Sequence, residues 1–299
     1  MNHPQHSVLN TKTLWLLQRV LKFDEIRKLR ENILLHKGAS LEDLLTKTAP
    51  RTEQWSSLLK QSDSEVEPNH SVITYWQLLP LLGKNTLHDL PLALAVRGNT
   101  EILAAPRVAI IGSRHPTFYG REMAHLFAKE LAKNGITIVS GGAIGIDTIA
   151  NKAAFDYGNS CAVLGSGLNS VYPPSNEPLF REMSKSPKGL VVSEFEQNIP
   201  AQKWNFPRRN RTIAALADFL LVIEATHTSG SMLTVQAALE MNCDVGALPG
   251  PIDTQNSSGT NSLIRDGAFC ILSPEEVVER VRSIVRQRTP SGAVQSVAS

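Results

Sequence analysis

Cysteine, long apolar runs and net charge are all scarce in this chain, and each scarcity excludes a class of protein. The three cysteines stand in or beside predicted strands: Cys161, Cys243 and Cys270. There we expect small buried side chains of a reducing compartment rather than disulfides or metal ligands. No apolar run is long enough to span a membrane, and the first residues lack the pattern of a signal peptide. We therefore expect a cytoplasmic protein without a membrane partner.

The charge balance does not indicate a partner by itself. The formal net charge is only +2 over 299 residues, so a nucleic-acid site must be argued from where the basic residues cluster. The hydrophobic content of 42% is enough for an ordinary core. A chain of this length can hold one large domain and a small one.

The most strongly patterned stretch predicts a βαβ unit between Arg107 and Asp147. Val108–Ile111 is an apolar, β-branched run typical of a strand buried on both faces. Tyr119–Asn134 has helical spacing, and Gly135 closes it where a positive φ is favoured. Ile136–Val139 predicts the second strand. Because such crossovers are right-handed and parallel, both strands end at the same edge of the sheet.

That edge lacks the fingerprint of a dinucleotide site. The first strand ends in Gly112-Ser113-Arg114 and the second in Ser140-Gly141-Gly142, with neither G-x-G-x-x-G nor an acid for a ribose. We therefore expect no nicotinamide or flavin cofactor. Glycine turns ahead of helices favour phosphate, and an arginine suits it through charge and planar geometry.

The remaining sequence continues to alternate strands and helices. The predicted strands are Cys161–Leu164, Leu190–Ser193, Phe219–Ile223, Val245–Leu248 and Phe269–Ile271, and the predicted helices are Ile144–Asp156, Glu177–Lys185, Asn210–Leu216, Ser231–Met241 and Pro274–Arg288. This alternation predicts an α/β fold with a Rossmann-like, doubly wound, mostly parallel sheet. The expected organisation is a small helical module at 1–60, a connector with an extra strand at 61–106, the Rossmann-like domain at 107–288 and a disordered tail at 289–299.

The segment Phe206-Pro207-Arg208-Arg209-Asn210-Arg211 is the strongest basic cluster, and it lies at a predicted helix start. A solvated helix start is the simplest interpretation, but cations there oppose the helix dipole. Trp204 and Phe206 add the stacking surface that single-stranded nucleic acid uses. We therefore hypothesise that Arg114 and these arginines line one groove and that Phe206 stacks on a base. The alternatives are that Phe206 is core and that some arginines pair with Glu194 or Glu224.

Two further motifs admit a binding and a structural interpretation, and no catalytic set is evident. Thr228–Ser231 precedes a helix, where hydroxyl and N–H groups either bind phosphate or cap the helix. Gly259–Asn261 alone predicts a turn and a cap. The histidines His115, His125 and His227 stand apart, without metal-ligand spacing. We expect neither catalytic nor metal-binding residues.

Together these motifs resemble the DprA/Smf family of DNA-processing proteins from about Arg107 to Leu272. The matching residues are Gly112-Ser113-Arg114 with Tyr119-Gly120, Ser140-Gly141 with Gly145-Ile146-Asp147, Gly165 to Gly167 with Tyr172-Pro173-Pro174 and Asn176, Ser193-Glu194-Phe195, the 206–211 cluster, Glu224-Ala225, Ser229-Gly230-Ser231 with Thr234, Pro249-Gly250, and Asn261 with Leu263-Ile264-Arg265 and Gly267-Ala268. The sequence departs from the family at Ile144 and Asn151, where an arginine and a histidine are usual. The N-terminal helices lie where some members have a sterile-alpha-motif-like module.

The resemblance implies a recombination mediator that binds single-stranded DNA. Such a protein protects incoming DNA and loads RecA during natural transformation, with single-strand binding protein as a further partner and a homodimer as the usual assembly. The motifs and the resemblance together predict these DNA-binding residues: Ser113, Arg114, Ser140, Gly141, Gly142, Lys203, Phe206, Arg208, Arg209, Asn210, Arg211, Ser229, Gly230, Ser231 and Asn261.

Two other functions stay open at this point. The nucleotide phosphoribohydrolases resemble this chain in their glycine-rich turns, but their Pro-Gly-Gly-x-Gly-Thr element is missing here. A protein–protein adaptor would account for the N-terminal helices and would leave the arginine cluster without a role.

Overall fold

The computed structural model describes residues 11–21, 23–35, 41–48, 71–83 and 90–288. Within these ranges, nine strands form one sheet with the order β1-β2-β6-β5-β4-β3-β7-β8-β9. The strands are β1 (Ser71–Thr74), β2 (Ala93–Gly98), β3 (Arg107–Ile111), β4 (Thr137–Ser140), β5 (Ser160–Leu164), β6 (Gly189–Ser193), β7 (Phe219–Val222), β8 (Asp244–Ala247) and β9 (Phe269–Cys270). β2 is antiparallel to both of its neighbours, and all other neighbouring pairs are parallel.

Eleven α-helices and two short 3-10 helices accompany the sheet in the described part of the chain. The α-helices are α1 (Thr11–Val20), α2 (Phe23–Leu35), α3 (Leu41–Thr48), α4 (Tyr75–Leu82), α5 (Phe118–Lys133), α6 (Ile146–Tyr157), α7 (Glu177–Met183), α8 (Asn205–Leu216), α9 (Ser231–Glu240), α10 (Gln255–Arg265) and α11 (Pro274–Arg288). The 3-10 helices are Thr100–Ala104 and Pro174–Asn176. None of the helices in these ranges is long and apolar enough to cross a bilayer.

The sheet has a separate apolar core on each face because successive strand residues point to opposite sides. Val108 and Ile110 of β3 pack with α5, α6 and α11. Ala109 and Ile111 pack with α4, α8 and α9. β3 lies between β4 and β7, so the chain reverses its direction of travel across the sheet at this strand. Ligands of open α/β sheets bind at such a switch point, outside the carboxyl ends of the strands.

The N-terminal helices pack onto the same sheet. Leu14 and Leu17 of α1 and Leu45 of α3 are buried in one cluster with Leu164 of β5 and Phe180 of α7. The α/β fold with a doubly wound, mostly parallel sheet and N-terminal helices is therefore confirmed. The division into domains stays a prediction, and its proposed tail, 289–299, lies outside the described residues.

Several local predictions are wrong. The 206–211 cluster does not precede a helix but lies inside α8, which starts at Asn205 rather than Asn210. Residues 71–106 hold two strands and α4 rather than one extra strand. The helix α10 was not predicted. Cys161 is buried as expected, but Cys243 is only half-buried and Cys270 is exposed, the latter because β9 is a two-residue strand at the end of the sheet.

Candidate nucleic-acid interface

The turns that follow β3 and β7 are bonded into one surface at the carboxyl edge of the sheet. The backbone N–H of Ser113 donates to the carbonyl oxygen of Glu224 at 2.7 Å. The hydroxyl of Ser231, at the start of α9, donates to the carbonyl oxygen of Gly112 at 2.8 Å. A Cβ added to Gly112 would lie only 2.7 Å from the Ile146 side chain, so α6 also approaches closely. This edge is therefore a rigid platform on which side chains can be positioned.

The three arginines of α8 point in three directions. Each residue of an α-helix is rotated by about 100° from the one before it, so Arg209 points away from Arg208, whereas Arg211 lies only about 60° from Arg208 and is separated from it by its partner. Arg211 donates to Glu240 of α9 at 2.6 Å, which takes it away from the carboxyl edge. The prediction that Arg114 and all three arginines line one groove is therefore wrong.

Arg209 is part of the fold beneath the edge rather than a surface group. Its side chain is only 5% exposed. Its guanidinium donates to the carbonyl oxygens of Gly141 and Val163, the latter at 3.0 Å, and to the side-chain oxygen of Asn210 at 3.1 Å. Arg209 thus ties α8 to the ends of β4 and β5.

Gly141 separates the charges of Arg209 and Asp147. A Cβ on Gly141 would lie 2.6 Å from Oδ2 of Asp147 and 2.7 Å from Nη1 of Arg209, so only glycine fits. Burial raises the pKa of Asp147 to about 6, although the charge of Arg209 and hydrogen bonds from the backbone of Ala143 and Gly112 oppose the rise. The glycine turn after β4 therefore accommodates a buried acid and a buried base side by side.

Above this buried layer, Phe206 and Arg114 form the surface. The Arg114 guanidinium carbon lies 5.6 Å from the centre of the Phe206 ring, and that of Arg209 lies at the same distance. Arg114 is exposed, whereas Phe206 is half-buried against Gly165, with Tyr172 at 6.1 Å between ring centres. Within the described residues Arg114 makes no ion pair. The combination offers one exposed cation beside a partly exposed aromatic ring.

Arg208 turns toward the N-terminal helices. Its Nε donates to Glu194 at 2.6 Å and its Nη2 donates to the carbonyl oxygen of Gln18 at 2.8 Å. Glu194, at the end of β6, also accepts bonds from the side chains of Gln18 and Thr212. The alternative that some arginines pair with Glu194 is therefore confirmed for Arg208. Glu224 instead accepts bonds from the backbone and side chain of Thr117 and so fixes the start of α5.

The other predicted site residues divide into surface and interior groups. Ser140 is fully buried and donates to the carbonyl oxygen of Ile110 at 2.6 Å. Gly141, Gly142 and Asn210 are buried as well, and Asn210 donates to the carbonyl oxygen of Gly230. Asn261 bonds both backbone groups of Gly250 and so holds that loop. Lys203 and Gly230 are exposed, and Ser113, Ser229 and Ser231 are half-buried.

Two aromatic residues at this edge are more exposed than Phe206. Trp204, at the start of α8, is 73% exposed, and Tyr172, in the loop after β5, is 50% exposed. Trp204 was recognised from its place beside the arginines. Tyr172 was not predicted to be a site residue. Its Tyr-Pro-Pro motif is the one sequence signal, and no local pattern shows that its loop packs beside Phe206. In the described ranges, no group of three or more His, Cys, Asp or Glu is arranged to hold a metal ion.

Comparison with known proteins agrees with the motifs. Residues 74–282 match the family described as DNA recombination-mediator protein A. Protein Smf of Escherichia coli is 42% identical over 219 residues, which are 72% of this chain and 58% of that protein. DNA processing protein DprA of Bacillus subtilis is 34% identical over 198 residues, which are 66% of each protein. The matches span about half to two thirds of the length of these curated relatives.

Two solved structures share the fold at higher coverage. The X-ray structure of DNA processing protein A from Streptococcus pneumoniae has a TM-score of 0.78 and 29% identity, and covers 91% of this chain and 98% of its own. DNA processing protein A from Helicobacter pylori has a TM-score of 0.63 and 32% identity over 73% of this chain and 97% of its own. That structure concerns its single-stranded DNA binding mode. The resemblance to the DprA/Smf family is confirmed, and this chain belongs to the DNA recombination-mediator protein A family.

Proposed function

We propose that this protein binds single-stranded DNA at the carboxyl edge of its sheet and acts as a recombination mediator. The observation that carries the proposal is the pair formed by Arg114 and Phe206. Within the described residues, no carboxylate lies within ion-pair distance of the exposed guanidinium of Arg114, although its charge acts on the buried Asp147, and it lies beside a ring that is half-buried rather than core. Charge for the phosphates next to an aromatic surface for the bases is what binding without sequence preference requires.

Membership of the family supports the same site. The Helicobacter pylori relative, whose structure concerns single-stranded DNA binding, matches 73% of this chain. In our proposal the exposed Lys203 and the half-buried hydroxyls of Ser113, Ser229 and Ser231 add contacts to the backbone of the strand. Arg208, Arg209 and Arg211 act indirectly, because their hydrogen bonds set the position of α8.

The cellular role follows from the family as a proposal. The protein protects incoming single strands in the cytoplasm and loads RecA on them during natural transformation, displacing single-strand binding protein. A homodimer is the proposed assembly. RecA ATPase activity measured on single strands coated with single-strand binding protein tests this role: the protein should shorten the lag, and an unchanged lag would contradict RecA loading.

A binding titration tests the DNA site itself. We expect a fluorescently labelled oligothymidylate to bind more tightly than a duplex of the same length, and affinity to fall as salt rises. On single strands the log–log slope is about −0.7 per phosphate contact, so Arg114→Gln should make it shallower by about 0.7. Equal affinity for duplex and single strand, or a slope that Arg114→Gln leaves unchanged, would refute the proposed site.

A further inference from the structure

A cleft of about 470 Å³ opens beside Arg114, between the starts of α5 and α6. Its walls include Arg114, His115 and Arg121 on one side and Ile144 and Ile149 on the other. The guanidinium of Arg114 lies over Phe206 and also lines this cleft. A strand that passes from Phe206 over Arg114 therefore has the cleft as its continuation.

Arg121 is an exposed cation that the fold does not use. It makes no ion pair and no side-chain hydrogen bond with any residue in the described ranges, in contrast to Arg208, Arg209 and Arg211. It stands near the start of α5, where a positive charge opposes the helix dipole. Folding stability therefore gives no reason for an arginine at this position.

Two polar side chains of the cleft wall, Thr148 and Asn176, are already occupied by bonds within the protein. The hydroxyl of Thr148 donates to the carbonyl oxygen of Ala143 at 2.6 Å. The side-chain amide of Asn176 donates to Thr148 at 2.6 Å and to the carbonyl oxygen of Gly142 at 2.9 Å. Ile144 is 53% exposed and offers only apolar surface. The two arginines are the permanently charged donors that face the cleft, with His115 and Ser175 beside them, and this lining suits an anion with an apolar part.

We propose that this cleft is a second phosphate subsite for single-stranded DNA, in which Arg121 holds the phosphate next to the one held by Arg114. The sugar of the same nucleotide packs on the apolar wall at Ile144. This inference rests on the proposed function, because it extends the path of the strand from the Phe206 surface to the cleft between α5 and α6.

The test compares salt slopes of oligothymidylate binding for the full-length protein and four variants. Arg121→Gln should make the slope shallower by about 0.7, and Arg121→Lys should restore it, since a lysine keeps the charge. Ile144→Arg places a third cation on the wall and should steepen the slope by a similar amount. Lys188→Gln is the matched control, because Lys188 is exposed just before β6, at the opposite edge of the sheet.

The outcomes separate this inference from the proposed function. If the wild-type protein does not prefer single strands, the proposed function fails before any variant is compared. If the wild type binds them and the slope of Arg121→Gln equals those of the wild type and Lys188→Gln, the second subsite is refuted. An unchanged slope for Ile144→Arg also refutes it. Thermal melting of each variant should match the wild type, because neither Arg121 nor Lys188 holds the fold together by an ion pair in the described ranges.

Discussion

Arg208, Arg209 and Arg211 are neighbours in the sequence, yet each stabilises a different part of the fold. Arg208 reaches Glu194, Arg209 reaches the carbonyl oxygens at the ends of β4 and β5, and Arg211 reaches Glu240. Cations near a helix start oppose the helix dipole, and either DNA or an internal partner can compensate for that cost. Burial and pairing decide between these two residue by residue, and they leave Arg114 as the exposed cation of the predicted set of four.

Phe206 remains the predicted base-stacking residue. Phe206→Ala should weaken single-strand binding about 5- to 150-fold, since stacking contributes roughly 1–3 kcal/mol per base. The salt slope should not change, because no charge is lost. Anisotropy titrations with oligothymidylate at several salt concentrations measure both quantities.

A second aromatic residue provides the control for Phe206. Tyr157, at the end of α6, is 45% exposed and stacks with Lys129 and Lys133 rather than with the carboxyl edge. Tyr157→Ala should bind DNA like the wild type. Loss of a fully buried phenyl ring costs roughly 3–5 kcal/mol of stability. If Phe206→Ala is destabilised by that much while its folded fraction binds normally, Phe206 is a core residue and stacking is ruled out.

Asp147 makes the stability of the protein depend on pH. Its folded-state pKa is raised to about 6 by burial, above the unfolded value of about 3.9. The folded protein therefore keeps this proton to higher pH than the unfolded chain does. The stability that the protonated Asp147 side chain contributes is fully present below about pH 4, and it is lost as the pH rises to about 6.

Urea unfolding of the wild type and Asp147→Asn measures this effect as a difference. Relative to the variant, the wild type should lose about 3 kcal/mol of unfolding free energy between pH 4 and above pH 6, at about 1.4 kcal/mol per pKa unit. The other titrating groups are present in both proteins, so their contributions to the pH dependence of the unfolding free energy cancel in this difference. A difference that is constant with pH would show that Asp147 titrates near its ordinary value.

At the scale of elements, the sequence predicts the strands far better than it predicts two helices. β3, β5 and β7 each contain a continuous run of four apolar residues because both of their faces are covered, and such runs are visible without any tertiary information. α8 starts earlier than predicted because Asn205 is held by the carbonyl oxygen of Gly165, forty residues away in the chain. No local pattern reports that contact.

α10 was missed because its residues are poor helix formers. Its sequence, QNSSGTNSLIR, contains glycine, serine, threonine and asparagine, which favour caps and turns over helix interiors. Tertiary contacts form it instead: the N–H of Gly259 donates to the carbonyl oxygen of Ala225 at 2.8 Å. A Cβ on Gly259 would lie 2.6 Å from that oxygen, so the residue that weakens the helix also permits its docking. The local pattern likewise does not show that Asn261 holds the loop at Gly250, and its contact with DNA stays a prediction.

At the scale of the whole molecule, the N-terminal helices are joined to α8 by a buried polar junction. Gln18 of α1 is 0% exposed. Its side-chain nitrogen donates to Glu194 at 2.9 Å, and its side-chain oxygen accepts from the N–H of Leu92 at 2.7 Å. Glu194 in turn holds Arg208 of α8. The position of α1 and the position of α8 are therefore set by the same carboxylate.

A double-mutant cycle on Gln18→Leu and Glu194→Gln tests this coupling. Gln18→Leu keeps the volume but leaves the buried N–H of Leu92 without its acceptor, which should cost about 1–3 kcal/mol of unfolding free energy. Both substitutions act on the same bond, because Gln18→Leu removes its donor and Glu194→Gln replaces its charged acceptor by a neutral amide. The double variant should therefore be less destabilised than the sum of the single variants, with a coupling of about 0.5–3 kcal/mol. Arg282→Gln is the control partner, since Arg282 bonds Asn134 on the surface of the opposite helical layer. Its change in unfolding free energy should add to that of Gln18→Leu within about 0.5 kcal/mol. Urea unfolding of the full-length protein gives all of these values. Strict additivity of Gln18→Leu and Glu194→Gln would mean that the N-terminal helices and α8 are positioned independently of each other.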